Sequence, residues 1–247
     1  MSDTGLVDLL TYGKAVVMSD HFDFACKNCG RVCCTSETPI LITPSEKVRL
    51  AYRLYHHNHP GMFIDKHPGH NPFTLHIESF AMTASIFINP ILDPDFGAPL
   101  CPFFCLSETP RDLQGVCGVY ADRGNTCRIF PFGRLVKSAY GHMIDKYVAI
   151  PAYCPGLGKG PAQQTVGTYL ARNQSPEMEL EFSIYYRFIY PKFCNAVDMY
   201  GERAARRIGE LLFHLSTPTG DLNDSQLHEH ILQEYARIEN VIDTLKF

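Results

Sequence analysis

Apolar positions at three- and four-residue spacing are clearest near the C-terminus, where Leu227, Ile231, Tyr235, Ile238, Ile242 and Leu245 mark one stripe of an amphipathic helix. Ala204, Ile208, Leu211, Leu212 and Leu215 repeat the pattern one element earlier, and the segment 216–224, with Pro, Gly and Asp, reads as the turn between the two. Each helix carries a single apolar stripe, so this tail must pack onto the rest of the chain or onto a partner. Upstream, Ile40-Leu41-Ile42 has the length and branching of a short buried strand. Thr43-Pro44-Ser45-Glu46 then supplies a capping hydroxyl, a proline in the first turn and a glutamate three residues past the cap, which predicts a helix over 44–55. Residues 56–72, with His56, His57, His59, His67 and His70 among prolines and glycines, read as a loop. Residues 73–91, 128–136 and 142–150 alternate as strands, and 1–25 form a lead-in whose most apolar part is 6–17.

Together these elements predict an α+β fold. An irregular cysteine-rich, metal-binding body with short strands and a helix occupies 1–160, and a helical C-terminal extension occupies 161–247. In 247 residues, 45% hydrophobic and 12% aromatic, there is enough apolar surface to offset the entropy of ordering. A net charge of -4 with no Lys/Arg-rich run gives no electrostatic footprint for nucleic acid. No stretch approaches the ~18–20 continuous apolar residues of a membrane helix. Asp3 and Asp8 stand where a secretory signal would be basic and then apolar, so the expected location is cytoplasmic, without a membrane span.

Cysteine changes the picture most. Of ten cysteines, nine fall between Cys26 and Cys154, and such clustering in a chain without an export signal points to metal rather than disulfides. The densest unit is Cys26-Lys-Asn-Cys29-Gly30-Arg-Val-Cys33-Cys34, in which a two-residue spacing lets the backbone wrap one metal or cluster and Gly30 relieves the tight path. The adjacent Cys33 and Cys34 point apart and suit different positions. A second group follows in Cys101-Pro-Phe-Phe-Cys105, Cys117-Gly-Val-Tyr120, Cys127-Arg-Ile-Phe-Pro-Phe132 and Cys154-Pro-Gly. The isolated Cys194 reads as a small buried hydrophobe.

Taken in order, Cys-x2-Cys-x3-Cys-Cys, Ile-Leu-Ile-Thr-Pro with its helix, Cys101-Pro-Phe-Phe, Cys117-x-Val-Tyr, Cys127-Arg-x-Phe-Pro and Cys154-Pro-Gly resemble the YkgJ-like cysteine-cluster proteins, described as a zinc- or iron-chelating domain. The resemblance covers roughly residues 22–160. It implies that Cys26, Cys29, Cys33, Cys34, Cys101, Cys117, Cys127 and Cys154 are metal ligands and that Cys105 and Cys194 are additions of this protein. A proline usual in the family shortly before the cysteine at 127 is missing from Asp122-Arg123-Gly124-Asn125, which touches the local turn more than the ligand. The family is linked to flagellin lysine N-methylase, a larger iron-sulfur protein with the same cysteine cluster. That link implies an iron-sulfur cofactor and says little about the reaction.

Four thiolates satisfy tetrahedral zinc and a cubane cluster alike. Prolines after Cys101 and Cys154, the aromatic neighbours Phe22, Phe24, Phe103, Phe104, Tyr120, Phe130 and Phe132, and the cations Arg31, Arg111, Arg123 and Arg128 favour one or two iron-sulfur clusters, 4Fe-4S first, over zinc. The expected function is iron-sulfur binding in electron transfer or in assisting a protein-modification reaction, with a protein or redox partner. One alternative is a zinc-stapled interaction module working through the stripe at 227–245. The other is a methyltransferase-type enzyme, for which no nucleotide fingerprint exists, since Gly156-x-Gly158-x-Gly160 follows a cysteine rather than a strand. A radical S-adenosylmethionine motif fails in both registers, at Glu108 and at Ser36. The histidines of 56–70 lack a register to fix a separate metal, and Asp93, Asp95 and Glu108 read as loop carboxylates. Cys105 is the one thiol of the cluster region outside the implied ligand set, and a catalytic role would require an activated thiolate there.

Overall fold

The computed structural model describes residues 15–22, 24–25, 40–56, 61–78, 83–93, 97–106, 115–139, 142–149 and 164–245. Cys26, Cys29, Cys33, Cys34 and Cys154, with the glycine run 156–160, His57, His59, Arg31, Arg111, Asp95 and Glu108, lie outside the described residues. The fold is mixed helix and sheet with a helical C-terminal part.

Among the described residues, four small antiparallel sheets form the first part. Strands β1 (Ala15–Val16), β9 (Phe132–Ala139) and β10 (His142–Ala149) lie in the order β1-β10-β9, while β2 (Ile40–Ile42), β3 (Phe73–Glu78) and β4 (Thr83–Ile88) lie in the order β2-β4-β3. β5 (Ile91–Asp93) pairs with β6 (Ala98–Leu100), and β7 (Phe104–Leu106) with β8 (Gly115–Cys117). Asp93 therefore sits at a strand end rather than in a loop. The described residues of the expected lead-in, 15–22 and 24–25, are part of the body: β1 edges the β9–β10 hairpin, His21 bridges Thr165, and Phe24 is buried.

Helix α1 (Pro44–His56) starts where its capping box predicts, with the Thr43 N–H donating to Glu46 Oε2 at 2.6 Å and the Glu46 N–H to Thr43 Oγ1 at 3.3 Å. A 3-10 turn (Phe63–Lys66) interrupts the loop that follows. The strand expected from Arg128 begins instead at Phe132, because Asn125–Ile129 forms a short helix, α2. Its start is held from outside: the Glu46 carboxylate, already in the α1 cap, accepts the Asn125 N–H through Oε1. A Cβ at Gly124 would stand 3.2 Å from that same oxygen, so the glycine leaves room for the carboxylate.

The C-terminal part comprises α3 (Val166–Asn173), α4 (Pro176–Ile184), a π-helical turn (Tyr185–Ile189), α5 (Tyr190–Tyr200), α6 (Glu202–Phe213) and α7 (Asp224–Thr244). Its stripe is spent within the chain. Leu227, Ile231, Tyr235, Ile238 and Ile242 are buried in one core with Ile189, Phe193 and Ile208 and with Val48 and Tyr52 of α1. The Tyr235 hydroxyl accepts the Ser45 N–H at 3.1 Å, and Arg49 of α1 forms a bidentate ion pair with Glu181 of α4, which also receives His228 Nδ1 at 2.7 Å. No helix among the described residues is long and apolar enough to cross a membrane.

Candidate metal centre

Cys101 follows β6 and opens a turn closed by the Phe104 N–H donating to its carbonyl at 3.0 Å. The chain then enters β7, whose Phe104 faces Cys117 across the ribbon with β8. Cys117 opens the next turn, closed by the Tyr120 N–H at 3.2 Å, and the neighbouring Gly118 N–H donates to the Phe103 carbonyl at 2.8 Å. Both cysteines are half-buried against one core that contains Met62, Phe73, Phe103 and Val119.

Cys105 packs on the same core but from the other side of the ribbon. It pairs with Val116 rather than Cys117, and successive strand residues alternate faces. A Cβ on Gly118 would meet Met62 Cγ at 2.6 Å and Cys105 Sγ at 2.9 Å, so this sulfur is covered by a position that only glycine fits. Burial, with the Asp65 carboxylate adding to it, pushes the Cys105 thiol above its ordinary range. An activated thiolate is not what this environment favours.

Cys127 lies in the first turn of α2, its N–H donating to Gly124 O at 3.0 Å. The helix is fastened just ahead of it by Glu46 on Asn125 and by the Thr126 hydroxyl donating to Leu41 O at 2.9 Å. Behind it Phe22, Phe24, Phe132 and Tyr169 pack edge to face, with Phe24 and Phe130 ring centroids 6.2 Å apart. Of the aromatic residues expected to exclude water, Phe24, Phe103, Phe104 and Phe132 are buried, whereas Tyr120 is 47% exposed and stacks under Arg123 at 3.9 Å. Arg128 also has a structural duty: its guanidinium donates to the carbonyls of Arg123, Ala121 and Asn173.

Among the described residues, His56, His67 and His70 form no metal-holding group. His56 bonds Pro218 O at 3.0 Å and stacks on Tyr52, and His70 bonds Asn89 O at 2.9 Å. Cys194 lies half-buried on α5, in the helical core and bonded to Tyr190. Among the described residues no group of three or more His, Cys, Asp or Glu side chains is arranged to hold a metal ion. Sequence reading missed Glu46 as the tie between α1 and α2. Its capping-box spacing announces one of its two roles, and the other depends on a residue 79 positions away. No protein-family model, curated protein or solved structure matches the chain.

Proposed function

We propose that this chain is a cysteine-thiolate metalloprotein carrying an iron-sulfur cluster, used in electron transfer or in assisting a modification of another protein. One observation carries the reading: Cys101 and Cys117 open turns at the same end of one ribbon and lie half-buried against a single apolar core. The donors gathered there are sulfur rather than imidazole, which suits iron-sulfur or zinc chemistry over hard cations. With Cys127 on α2 and with Cys26, Cys29, Cys33, Cys34 and Cys154, they make up the ligand set that the resemblance to YkgJ-like proteins implies. When bound, a cluster supplies one-electron oxidation and reduction, at a potential that burial and nearby dipoles adjust. The chain's own part is to hold the thiolates and, through Phe103 and Phe104, to exclude water.

Anaerobic purification followed by iron, acid-labile sulfide and zinc analysis tests the proposal. Iron and sulfide in near-equal amounts with a brown chromophore are expected. A colourless protein with stoichiometric zinc and no sulfide would overturn the iron-sulfur assignment and leave a zinc-stapled fold, since zinc accepts the same thiolates.

A further inference from the structure

The helix that carries Cys127 cannot hold itself. α2 has five residues, well short of the ~12–15 at which an isolated helix becomes even marginal, and its cap is Gly124, which has no side chain to bond the first N–H groups. Asn125, its first residue, is only 5% exposed, so water does not stand in for a partner to the Asn125 N–H. One stretch of chain, from the end of β2 to the end of α1, supplies the support. Glu46 Oε1 accepts the Asn125 N–H, Leu41 O accepts the Thr126 hydroxyl at 2.9 Å, and Arg53 Nε meets Asp122 Oδ2 at 3.0 Å just ahead of the turn. Gly124 O then accepts the N–H groups of Cys127 and Arg128, both at 3.0 Å, so the Cys127 backbone is fixed to the residues that are tied down.

The chemistry of position 46 exceeds what its own helix needs. Glu46 Oε2 accepts the Thr43 N–H at 2.6 Å within the α1 capping box, and such a box works with glutamine as well as glutamate. The second N–H, from Asn125, changes the requirement. A carboxyl group can accept at both oxygens, ionised or protonated, whereas a carboxamide has one accepting oxygen and an NH2 that would face the other N–H. The Glu46 side chain is buried, and the residue before it is fixed from α7 by the Tyr235 hydroxyl, which accepts the Ser45 N–H at 3.1 Å.

We propose that Glu46 is a positioning residue of the metal centre, holding α2, and with it the sulfur of Cys127, in place before metal arrives. The proposal rests on the reading of Cys127 as a ligand and adds what makes that ligand available. Cys101 and Cys117 differ in this respect, since each opens a turn closed by its own near neighbour, Phe104 and Tyr120, and owes nothing to Glu46.

The test compares the metal-free full chain with Glu46→Gln, Gly124→Ala and Thr43→Ala, measuring the rate at which iodoacetamide alkylates each cysteine by peptide mass spectrometry. Glu46→Gln should speed alkylation of Cys127 roughly ten-fold, the scale of one lost hydrogen bond to a buried acceptor, while Cys101 and Cys117 keep their natural rates. Gly124→Ala, whose Cβ would stand 3.2 Å from Oε1 and press on the carboxyl from the other side, should act in the same direction but more weakly. Thr43→Ala weakens the α1 cap and keeps the carboxyl, so it should lower the unfolding temperature and leave Cys127 at its natural rate. In metal-loaded chains, transfer of iron to bathophenanthroline or of zinc to EDTA should be several-fold faster in Glu46→Gln than in Thr43→Ala. Unchanged Cys127 alkylation in Glu46→Gln would overturn the proposal. So would an equal rise at Cys101 and Cys117, which marks general loosening, or a Thr43→Ala chain that exposes Cys127 as fully. A natural chain that takes up neither iron nor zinc would overturn the metal reading instead, and the alkylation rates would still decide whether Glu46 holds α2.

Discussion

Replacing Arg49 by Met removes the cation from the most deeply buried charge pair described. The Arg49 and Glu181 side chains are 6% and 0% exposed, and Arg49 meets both carboxylate oxygens, with Nε to Oε2 at 3.0 Å. Methionine keeps much of the buried stem but leaves the Glu181 carboxylate desolvated. Removing one partner of a buried pair costs about 3–5 kcal/mol. His228, still 2.7 Å from Oε1, retains one hydrogen bond to the carboxylate and draws the expectation toward the lower end. For a chain of this size that is a fall in Tm of roughly 6–20 °C. The pair also joins α1 to α4, and its loss should loosen the core shared by α1 and α7. Arg49→Met/Glu181→Met, which removes both charges, should recover most of the loss, because exchanging a buried pair for apolar side chains is often neutral. Urea unfolding of the two single variants, the double variant and the natural chain closes the cycle. A loss below about 1 kcal/mol in Arg49→Met, or a double variant as damaged as the sum of the singles, would refute this account of the pair.

Other expectations follow from single contacts. Cys127→Ser should lose bound metal and lower the unfolding temperature, whereas Cys194→Ser and Cys105→Ala should keep the metal content of the natural chain, as metal analysis of identically prepared samples will show. Gly209→Ala, whose Cβ would meet Ala84 Cβ at 2.7 Å, should cost about 1–2 kcal/mol after its gain in helix propensity, and Ala84→Gly in the same chain should restore most of it. Burial raises the phenols of Tyr185 and Tyr235 above the ordinary 10.0 and that of Tyr190 to about 12. The folded chain thus holds these protons more tightly than the unfolded one. The contribution of Tyr190 to stability is complete below pH 10.0 and is lost as the pH rises through about 12, and those of Tyr185 and Tyr235 persist to higher pH. Absorbance at ~295 nm should show a late tyrosine fraction that ionises together with the loss of circular dichroism, and a single titration near the ordinary value in an intact fold would count against the burial.

Where local chemistry decides structure, the sequence could be read closely. Thr43 and Glu46 announce the start of α1, the stripe from Leu227 to Ile242 announces α7, and alternation announces β3, β4 and β10. What escaped depends on partners far along the chain. Residues 125–129 are too few to show helical periodicity, and their helix begins where Glu46 takes the Asn125 N–H. Arg49 and Glu181, 132 positions apart, look like ordinary polar faces of two helices until α1 and α4 meet. The π-helical turn at Tyr185–Ile189 carries no signal at all, since such a turn leaves no distinct spacing in so aromatic a run. Among the cysteines, spacing picked out the thiols, and only the strand register shows that Cys105 and Cys117 face opposite ways. Cys26, Cys29, Cys33, Cys34 and Cys154 lie outside the described residues, and their role as ligands rests on the resemblance alone.

The burial of Val48 and Tyr52 together with Leu227, Ile231 and Ile238 restricts how such a protein can be rearranged over evolutionary time. A C-terminal appendage that merely lay on a surface could be gained, lost or exchanged between genes with the remainder intact. Here the exchange unit is larger: a new ending must bring apolar side chains that fit α1, a hydroxyl to receive the Ser45 N–H and an acid to meet Arg49. Domain shuffling that cuts near residue 160 would yield two fragments, each with half of a hydrophobic interior facing water. Lineages that keep α1 in this form should therefore change their last helices by compensated substitution rather than by replacement.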